Sequence, residues 1–516
     1  MQQIDSKTKL YDRLFYAVLA IGFLIVLSTY KDYGITWDQA AQYDYGVAVY
    51  NYYLTFFNDK TALTLGPNLY LYGGFVDFWS TVGTKLLTFM DPFEWRALYT
   101  ALWGLLGWFF FFRWAKLLTD SKIAFYCLLV LILTPTYWGH SFINSKDMPF
   151  AVAFLASFYF LNKNLLSNNP SLKDWLYWGA ATGVLLSIRI GGALVVFYSL
   201  LFILYNFKIQ RKQKLSSFNW KAYFSALLLA YVIMLIFWPW AQQSPLVHPI
   251  EALLKISRFN WSGKVLFMGS MVAGKEVPFY YLPVYFGVKL PIIYHLGVFS
   301  FCYLLFKKIK FPDNFKSSTS YLLFAVLFPL IFVILSGSTI YDGIRHFIFL
   351  IPFLCLIAGV SIYLIAHTCS KIKFAKLSYL IWAVVLLLPL PAMIHLHPNQ
   401  YVYYNELFGS LPAAKGNFEL DYWGNSFKET VTLLNKKVEH YENNGEPFKV
   451  AVCGHPISTV RFFSKRLKWH GNINGARFYI VYSRNLNCPK FKGKRRVIQN
   501  IRQGVVLSEV YDLREI

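Results

Sequence analysis

The sequence has 516 residues, of which 56% are hydrophobic and only 15% are charged, and its formal net charge is +24. Soluble domains carry about 25% charged residues, so this composition excludes an ordinary soluble protein and indicates a polytopic membrane protein. Most Lys and Arg residues lie in short clusters between apolar runs, which argues against a nucleic-acid-binding protein.

Eleven apolar runs predict transmembrane helices, given that a span needs about 20 residues. The first run has no small-residue cleavage pattern after it and is predicted to be retained. Basic residues follow spans two, four, six, eight and ten, so these loops are predicted to be cytoplasmic. The N-terminus is then cytoplasmic and the C-terminus periplasmic, in the cytoplasmic membrane. The predicted spans are 12–29, 96–114, 122–138, 148–162, 174–188, 190–206, 222–240, 283–306, 319–337, 345–366 and 376–394.

The segment 30–95 is predicted to form a long first external loop with membrane-lying helices. Its stretch 69–89 is apolar but contains glycines and charges, and a span there would place the later basic loops outside. It is therefore interpreted as an interfacial or re-entrant helix. Near the start of the loop, Thr36-Trp-Asp-Gln39 fits a capping box. This predicts a helix with Asp38 in its first turn, where the helix dipole favours an ionised carboxylate.

A second external segment, 241–282, contains a stretch that is typical of an amphipathic surface helix. From about residue 396 charges become frequent, and the strand-like runs "FKVAVCG", "RFYIVYS" and "GVVLSEVYD" accompany a helical run. We therefore predict a transmembrane domain over 1–395 and a small periplasmic α/β domain over 396–516. The stretch "ELDYWGNS" (419–426) is predicted to dock this domain on the membrane part, with direct acceptor contact as the alternative.

Six cysteines are scattered along the chain, and two of them, Cys453 and Cys488, lie in the predicted periplasmic domain. A disulfide between these two fits an oxidising compartment, and two free thiols fit the sequence at least as well. The absence of a C-x-x-C motif argues against a thiolate zinc site.

Ionisable residues near membrane depth are costly and usually have a partner or a function. Five separate segments place charges near the same external face, which predicts one shared water-filled cavity. Headgroup contacts or a helix-end position would explain each residue singly, and their number at one face favours a shared site. The cavity is predicted to contain Asp38, Asp44, Lys146, Asp147, Arg189, Lys289, Asp342, Arg345 and His346. A divalent metal is left open, because His140, His346, Asp147 and Asp38 offer oxygen and nitrogen ligands without a known ligand spacing.

Three short motifs resemble those of a known superfamily. Asp38-Gln-Ala-Ala-Gln-Tyr43 looks like the Asp-Glu-x-x-x-Tyr pattern in the first external loop of the GT-C membrane glycosyltransferases, with Gln39 where that family usually has Glu. The stretch "FINSKDMPFA" (142–151) is similar to their second external-loop motif, and "YDGIRHFIFLIPFL" (341–354) is like their Arg at the external start of a late span. With the predicted topology, the chain resembles the branch that contains the protein O-mannosyltransferases and the aminoarabinose lipid A transferases.

The resemblance implies an inverting glycosyltransferase that moves a hexosyl or pentosyl group from a polyprenyl-phosphate donor to a hydroxyl of a lipid, glycan or protein. It implies Asp38 as the base and Arg345 as the main ligand of the donor phosphate. Further donor-phosphate ligands are expected among Lys146, Lys289 and Arg189. Substrate or metal contacts are expected from Asp147, His346, Asp44 and Tyr43.

The main alternative is a transporter or flippase for lipid-linked sugars, which would also need cations near the membrane face. It would not need a carboxylate at a helix start in an external loop, and we see no clear internal repeat of the kind that transporters often carry. A polysaccharide polymerase or ligase of another fold would share the substrate class. A structural or receptor-like membrane protein is disfavoured by the charges near the membrane. The sequence does not identify the sugar, the acceptor or the oligomeric state.

Overall fold

The computed structural model describes residues 2–66, 68–207, 218–257, 261–369, 375–442, 445–484, 488–489, 491, 493 and 495–514. Helices dominate the chain as far as residue 396. They are α1 (Gln2–Thr29), α2 (Trp37–Leu54), α3 (Phe75–Leu86), α4 (Pro92–Leu118), α5 (Ser121–Ile132), α6 (Pro135–Ile143), α7 (Asp147–Leu166), α8 (Leu172–Leu186), α9 (Ala193–Tyr205), α10 (Trp220–Ile236), α11 (Pro239–Gln243), α12 (His248–Ser257), α13 (Tyr281–Lys289), α14 (Ile292–Phe306), α15 (Asp313–Leu335), α16 (Ile351–Cys369), α17 (Ala375–Leu387) and α18 (Leu390–Leu396).

Each predicted span coincides with one or two of these helices. Within the described residues, four helices are long and apolar enough to cross a membrane, or up to six if each of two bent helix pairs forms one span. The fold class, a polytopic helical protein, is confirmed. The count of eleven spans stays a prediction, as does the orientation of the termini, and parts of two predicted cytoplasmic loops, 208–217 and 370–374, lie outside the described residues.

Two predicted spans are each formed by a bent pair of helices. The pair α5 and α6 is bent by 66°, and the pair α13 and α14 by 114°. A proline stands at each break, Pro135 and Pro291. Proline lacks a backbone N–H and disfavours the helical conformation of the residue before it, which explains both breaks. The start of α6 meets the end of α13, because the Thr136 hydroxyl donates to the carbonyl of Lys289 (3.2 Å).

The first external loop is helical where the sequence indicated. α2 begins directly after Thr36, whose N–H donates to Oε1 of Gln39 at 3.1 Å. The Thr36 hydroxyl donates to the carbonyl of Ile143 (3.3 Å), which ties the start of α2 to the end of α6. α3 occupies the predicted interfacial segment, and α12 is the predicted surface helix, with Ile250 exposed.

A short hairpin, β1 (Lys264–Phe267) and β2 (Ser270–Ala273), lies in the second external segment. The sequence analysis did not predict it. Its two turn residues, Met268 and Gly269, have φ values of 48° and 81°. Two-residue hairpin turns of type I′ need positive φ at both positions, and Gly269 supplies one of them without strain.

The C-terminal region forms a five-stranded mixed sheet. Its strands are β3 (Phe448–Val452), β4 (Leu467–Trp469), β5 (Phe478–Tyr482), β6 (Arg496–Arg502) and β7 (Val505–Asp512). Their order is β4-β3-β5-β7-β6, with β3 parallel to β4 and β5, and β7 antiparallel to β5 and β6. The helices of this region are α19 (Ser410–Ala414), α20 (Phe427–Val438) and α21 (Ile457–Val460). The small C-terminal α/β domain is thus confirmed, and its boundary at residue 396 stays a prediction.

The sheet domain is docked on the helical part through both apolar and charged contacts. It has a core of its own around α20, but Val505 and Leu507 of β7 belong to the core of the helical part. Arg461 pairs with Asp91, which precedes α4, at 2.6 Å. The two parts therefore form a continuous surface, and a site can be built between them.

A buried ion pair attaches the first external loop to α4, and variants that remove the pair test this attachment. Nη2 of Arg96 in α4 lies 2.7 Å from Oδ1 of Asp77 in α3, and the two side chains are 1% and 6% exposed. We expect Asp77→Ala to lower the free energy of unfolding by about 3–5 kcal/mol, because Arg96 is left buried without its counter-charge. The double variant Asp77→Leu/Arg96→Met should recover most of this loss, since apolar side chains can replace a buried pair. Denaturant unfolding in detergent, followed by circular dichroism, measures both. Equal losses in the single and double variants would contradict this account.

Candidate active site

A chain of alternating charges lies at the external end of the helical part. Arg345 Nη1 is 2.8 Å from Oδ2 of Asp38, and Arg345 Nε is 3.2 Å from Oδ2 of Asp342. Arg484 Nη1 lies 2.8 Å from the other oxygen of Asp342. The side chains of Arg345, Asp342 and Arg484 are 7%, 3% and 6% exposed, whereas that of Asp38 is 47% exposed. The chain therefore has one solvent-accessible end, and this end is a carboxylate.

The backbone positions the two inner members of this chain. Asp342 and Gly343 have φ values of 58° and 67°, so two consecutive residues are left-handed. Asp is among the few residues apart from Gly that tolerate this conformation. The turn leads directly into the 3-10 segment Arg345–Leu350, which continues as α16. Asp342 is thereby turned back onto Arg345, three residues later in the sequence.

Arg484 comes from the C-terminal sheet domain, two residues after β5. It donates to the carbonyl of Tyr422 (3.3 Å), and its guanidinium lies 5.8 Å and 5.6 Å from the rings of Trp37 and Trp261. Burial alone would lower the pKa of Arg484, but the neighbouring Asp342 and Glu419 raise the pKa above its ordinary value. Arg484 is not among the predicted site residues, since an Arg after a strand carries no signal of its distant partners.

A polar cavity of about 480 Å³ opens beside the ion chain. Its walls come from the start of α2, the second external segment, the turn before α16 and the sheet domain. A disulfide between Cys453 and Cys488 forms part of the wall, which resolves the two alternatives left by the sequence. The lining residues are Trp37, Asp38, Trp261, Tyr341, Asp342, Arg345, Cys453, Gly454, Tyr482, Arg484 and Cys488.

A second, mainly apolar groove of about 520 Å³ runs between α9, α12, α15 and the segment before α16. Phe197, Phe328 and Phe349 are among its apolar lining residues. Its polar lining includes Tyr72, Arg189 and His346. Tyr341 lines both the groove and the polar cavity, and its ring centroid is 4.8 Å from the Arg345 guanidinium. The two cavities therefore adjoin at Tyr341, beside Arg345.

Lys146, Asp147 and Arg189 gather around Tyr72. The Lys146 ammonium lies 3.6 Å from the centroid of the Tyr72 ring, and the Arg189 guanidinium 5.5 Å from it. Arg189 forms an ion pair with Asp147, which also accepts a hydrogen bond from Asn144 (3.1 Å). Burial and the nearby Arg189 together lower the pKa of Lys146 to about 8. This lysine is therefore a cation that titrates close to neutral pH.

Five predicted site residues line neither cavity. Two of them, Lys146 and Asp147, lie against Tyr72 and Arg189 of the groove, and the other three lie elsewhere. Lys289 is buried, donates to the carbonyl of Tyr401 (3.1 Å) and lies 3.9 Å from the ring of Tyr404. Asp44 is exposed on α2 and Tyr43 packs against Phe93. The bend between α13 and α14 explains the position of Lys289. α13 ends at this residue, whose side chain therefore contacts Tyr401 and Tyr404 in the segment that follows α18. The structure thus joins Asp38, Arg345, Lys146, Arg189, Asp147 and His346 around the two cavities, and leaves Lys289, Asp44 and Tyr43 outside.

The described part of the chain contains no group of three or more His, Cys, Asp or Glu side chains that could hold a metal ion. His140, one of the candidate ligands, is buried and has its Nδ1 3.2 Å from the amide nitrogen of Asn144. Its Nε2 lies 3.5 Å from the Tyr422 hydroxyl. The predicted ligands Asp38 and His140 are thus held by other partners in this arrangement.

The stretch 419–426 docks the sheet domain, as its first interpretation predicted. Asp421 is fully buried and accepts hydrogen bonds from the N–H groups of Asn425 and Ser426, both at 3.0 Å. Oε1 of Glu419 accepts from the N–H of Leu266 in β1 (2.9 Å). Trp423 lies 4.8 Å from the Arg345 guanidinium, so the docking segment also packs against the ion chain.

Comparisons with known proteins agree with this architecture. A family model described as dolichyl-phosphate-mannose-protein mannosyltransferase matches residues 76–240. The chain matches the crystal structure of ArnT from Cupriavidus metallidurans bound to undecaprenyl phosphate. The two sequences are 15% identical, the match covers 97% of both chains, and the TM-score is 0.51. The apo oligosaccharyltransferase of Archaeoglobus fulgidus is 12% identical, with 90% of this chain and 65% of that chain covered and a TM-score of 0.52. No curated protein sequence matches this one.

The chain therefore has the fold of the GT-C membrane glycosyltransferases. Within that class, the resemblance to the branch of the protein O-mannosyltransferases and aminoarabinose transferases is confirmed by the family match and by the match to ArnT over nearly the whole chain. The structural matches show the fold, and at identities of 12–15% the substrates have to be argued from the site.

The disulfide in the cavity wall provides a direct test of this site. We expect peptide mapping of protein purified from membranes to find Cys453 linked to Cys488, because their Cα atoms are 5.8 Å apart, within the range that a disulfide spans. Both thiols should react with maleimide only after reduction. The free Cys127 and Cys355 serve as internal controls that stay unlinked under all conditions. Labelling of Cys453 and Cys488 before reduction would contradict the pairing.

Proposed function

We propose that the protein is an inverting glycosyltransferase that moves a sugar from a polyprenyl-phosphate donor to a hydroxyl acceptor at the outer face of the cytoplasmic membrane. One observation carries the proposal: the Asp38–Arg345 ion pair stands where a polar cavity adjoins an apolar groove. A base for a hydroxyl and a cation for a phosphate are thereby placed within one hydrogen bond of each other.

The apolar groove suits the polyprenyl chain of the donor, and its polar end suits the phosphate. Arg189 lies at that end, and Lys146 is held beside it over Tyr72. Arg345 uses Nη1 and Nε in its ion pairs, so N–H groups of its Nη2 are left for a phosphate oxygen. The undecaprenyl phosphate in the ArnT crystal structure supports a lipid of this class as the donor carrier.

The reaction follows from this placement. The accessible carboxylate of Asp38 takes the proton of the acceptor hydroxyl as the oxygen attacks the anomeric carbon of the donor sugar. The bond from that carbon to the phosphate oxygen breaks, and its electron pair leaves with polyprenyl phosphate. Attack from the face opposite the leaving group inverts the configuration.

Charge that grows on the leaving phosphate is stabilised by cations already in place. Arg345, Arg189 and Lys146 are oriented by ion pairs or ring contacts before the substrate binds. Fixed charges in a site of low dielectric stabilise a developing charge more than water does, because they need no reorganisation. Before the donor binds, the carboxylates of Asp38 and Asp147 pair with Arg345 and Arg189 and lower the cost of burying these cations.

A flippase for lipid-linked sugars, the main alternative, receives no support from the comparisons. The polar cavity beside the groove also favours transfer, since movement of a lipid alone needs no second compartment for a hydroxyl acceptor. Both activities can be distinguished in one preparation.

Transfer can be measured as polyprenyl phosphate released from polyprenyl-phosphate sugars by purified protein supplied with cell-envelope acceptors. We expect Asp38→Asn to lower the rate by about 10²–10⁴-fold, because the amide cannot accept the proton. Arg345→Ala should lower it by about 10²–10³-fold through loss of phosphate stabilisation. Asp313→Asn, at an exposed carboxylate that starts α15, is the matched control and should transfer like the wild type.

If Asp38→Asn transfers sugar as fast as the wild type, Asp38 is excluded as the base. Movement of the labelled lipid across vesicles without cleavage of the sugar–phosphate bond would favour the flippase. Asp44→Asn tests the carboxylate that directly follows the first-loop motif: a loss as large as that of Asp38→Asn would return Asp44 to the site.

The pH dependence tests the role of Lys146. Because the pKa of Lys146 is about 8, its charge is present below that pH and is lost as the pH rises through it. We expect kcat/KM for the donor to fall above about pH 8, since kcat/KM reports the free enzyme. Lys146→Arg should move this fall to higher pH, because a guanidinium stays protonated. The exposed Lys85→Arg is the control. An alkaline fall that is identical in Lys146→Arg would assign it to another group.

A further inference from the structure

Arg484 joins the sheet domain to every wall of the polar cavity. Its guanidinium pairs with Asp342 before α16 and lies over Trp37, the neighbour of Asp38, and over Trp261 of the second external segment. It lies 4.0 Å from Glu419 of the docking stretch. A buried Arg that meets four separate segments at a cavity is more than a surface contact of the domain.

The position of Asp342 gives this Arg a specific consequence. Asp342 is almost fully buried, and its two oxygens are divided between two guanidinium groups. Arg345 in turn is shared between Asp342 and Asp38. If Arg484 is removed, Asp342 keeps Arg345 as its only guanidinium partner among the described residues. Asp342 then attracts Arg345 more strongly, and the Asp342 carboxylate competes with any anion that Arg345 binds.

We propose that Arg484 is a positioning residue of the active site, which holds Asp342 so that Arg345 is free to bind the phosphate of the donor. The C-terminal sheet domain thereby contributes to donor affinity without touching the lipid. This inference rests on the proposed function, because it takes the phosphate of a polyprenyl carrier as the ligand of Arg345.

A second role for Arg484, simple docking of the domain, makes a different prediction. The Arg461–Asp91 pair also joins the sheet domain to the helical part and lies outside the cavity lining. If Arg484 acts only by docking, then Arg461→Ala should have the same effect as Arg484→Ala. If it acts through Asp342, then neutralising Asp342 should compensate for its loss.

The experiment measures the Kd of undecaprenyl phosphate for the full chain in detergent. Arg484→Ala should raise the Kd by about 10- to 100-fold, because Asp342 then competes with the phosphate for the charge-assisted hydrogen bonds of Arg345. Arg484→Ala/Asp342→Asn should return the Kd to within a few fold of the wild type, because Arg345 is no longer held by a bare carboxylate. Arg461→Ala should leave the Kd unchanged. Arg484→Gln carries the same test if the Ala variant is not recovered folded.

An unchanged Kd in Arg484→Ala would overturn the inference and leave the proposed function intact. Failure of the Asp342→Asn substitution to restore affinity, or an equal effect of Arg461→Ala, would assign Arg484 to docking and also overturn it. Absence of binding by the wild type would instead overturn the proposed function, and the inference with it.

Discussion

The ion chain Asp38–Arg345–Asp342–Arg484 is the constraint on which the rest of the site depends. Arg345, Asp342 and Arg484 are buried, and a buried charge is tolerated only when a counter-charge is held in good geometry. The members come from the first external loop, the start of a late span and the C-terminal sheet. The fold must therefore bring all three segments together before any one of these charges is stable. The tie between α2 and α6, the left-handed turn at Asp342 and the docking stretch 419–426 all serve this convergence.

The same convergence separates an apolar and a polar environment, and the proposed lipid-linked donor needs both. The groove is lined by helices and by aromatic side chains, whereas the polar cavity is lined largely by loops and by the sheet domain. Arg345 and Tyr341 stand at the border, so an amphipathic molecule is oriented by its own two ends. No large movement of the helices is needed to bring a phosphate next to Asp38, because the ion pair already reaches from one side to the other.

Much of this architecture could be predicted from the sequence, because it depends on local patterns. Apolar runs indicated the helices, strand-like runs indicated three of the five sheet strands, and the capping box placed Asp38 at a helix start. The sequence also predicted that Asp38 and Arg345 lie in one shared cavity. Arg484 was not predicted to be part of it, since its partners lie far away in sequence and no periodicity marks them. Lys289 was predicted to line the shared cavity because it lies near the external end of a span in the sequence. The bend before Pro291 instead places its side chain against Tyr401 and Tyr404.

The strand order of the sheet has a consequence for how the protein is made. β7 follows the other four strands of the sheet in the sequence, yet it pairs with β5 in the interior of the sheet, and β5 leads directly to Arg484. A nascent chain whose helices are already inserted thus has a groove open to lipid but lacks the wall that closes the polar cavity. Under the proposed function, the helical part alone therefore forms the groove for the lipid, whereas the polar cavity is complete only once the sheet has formed.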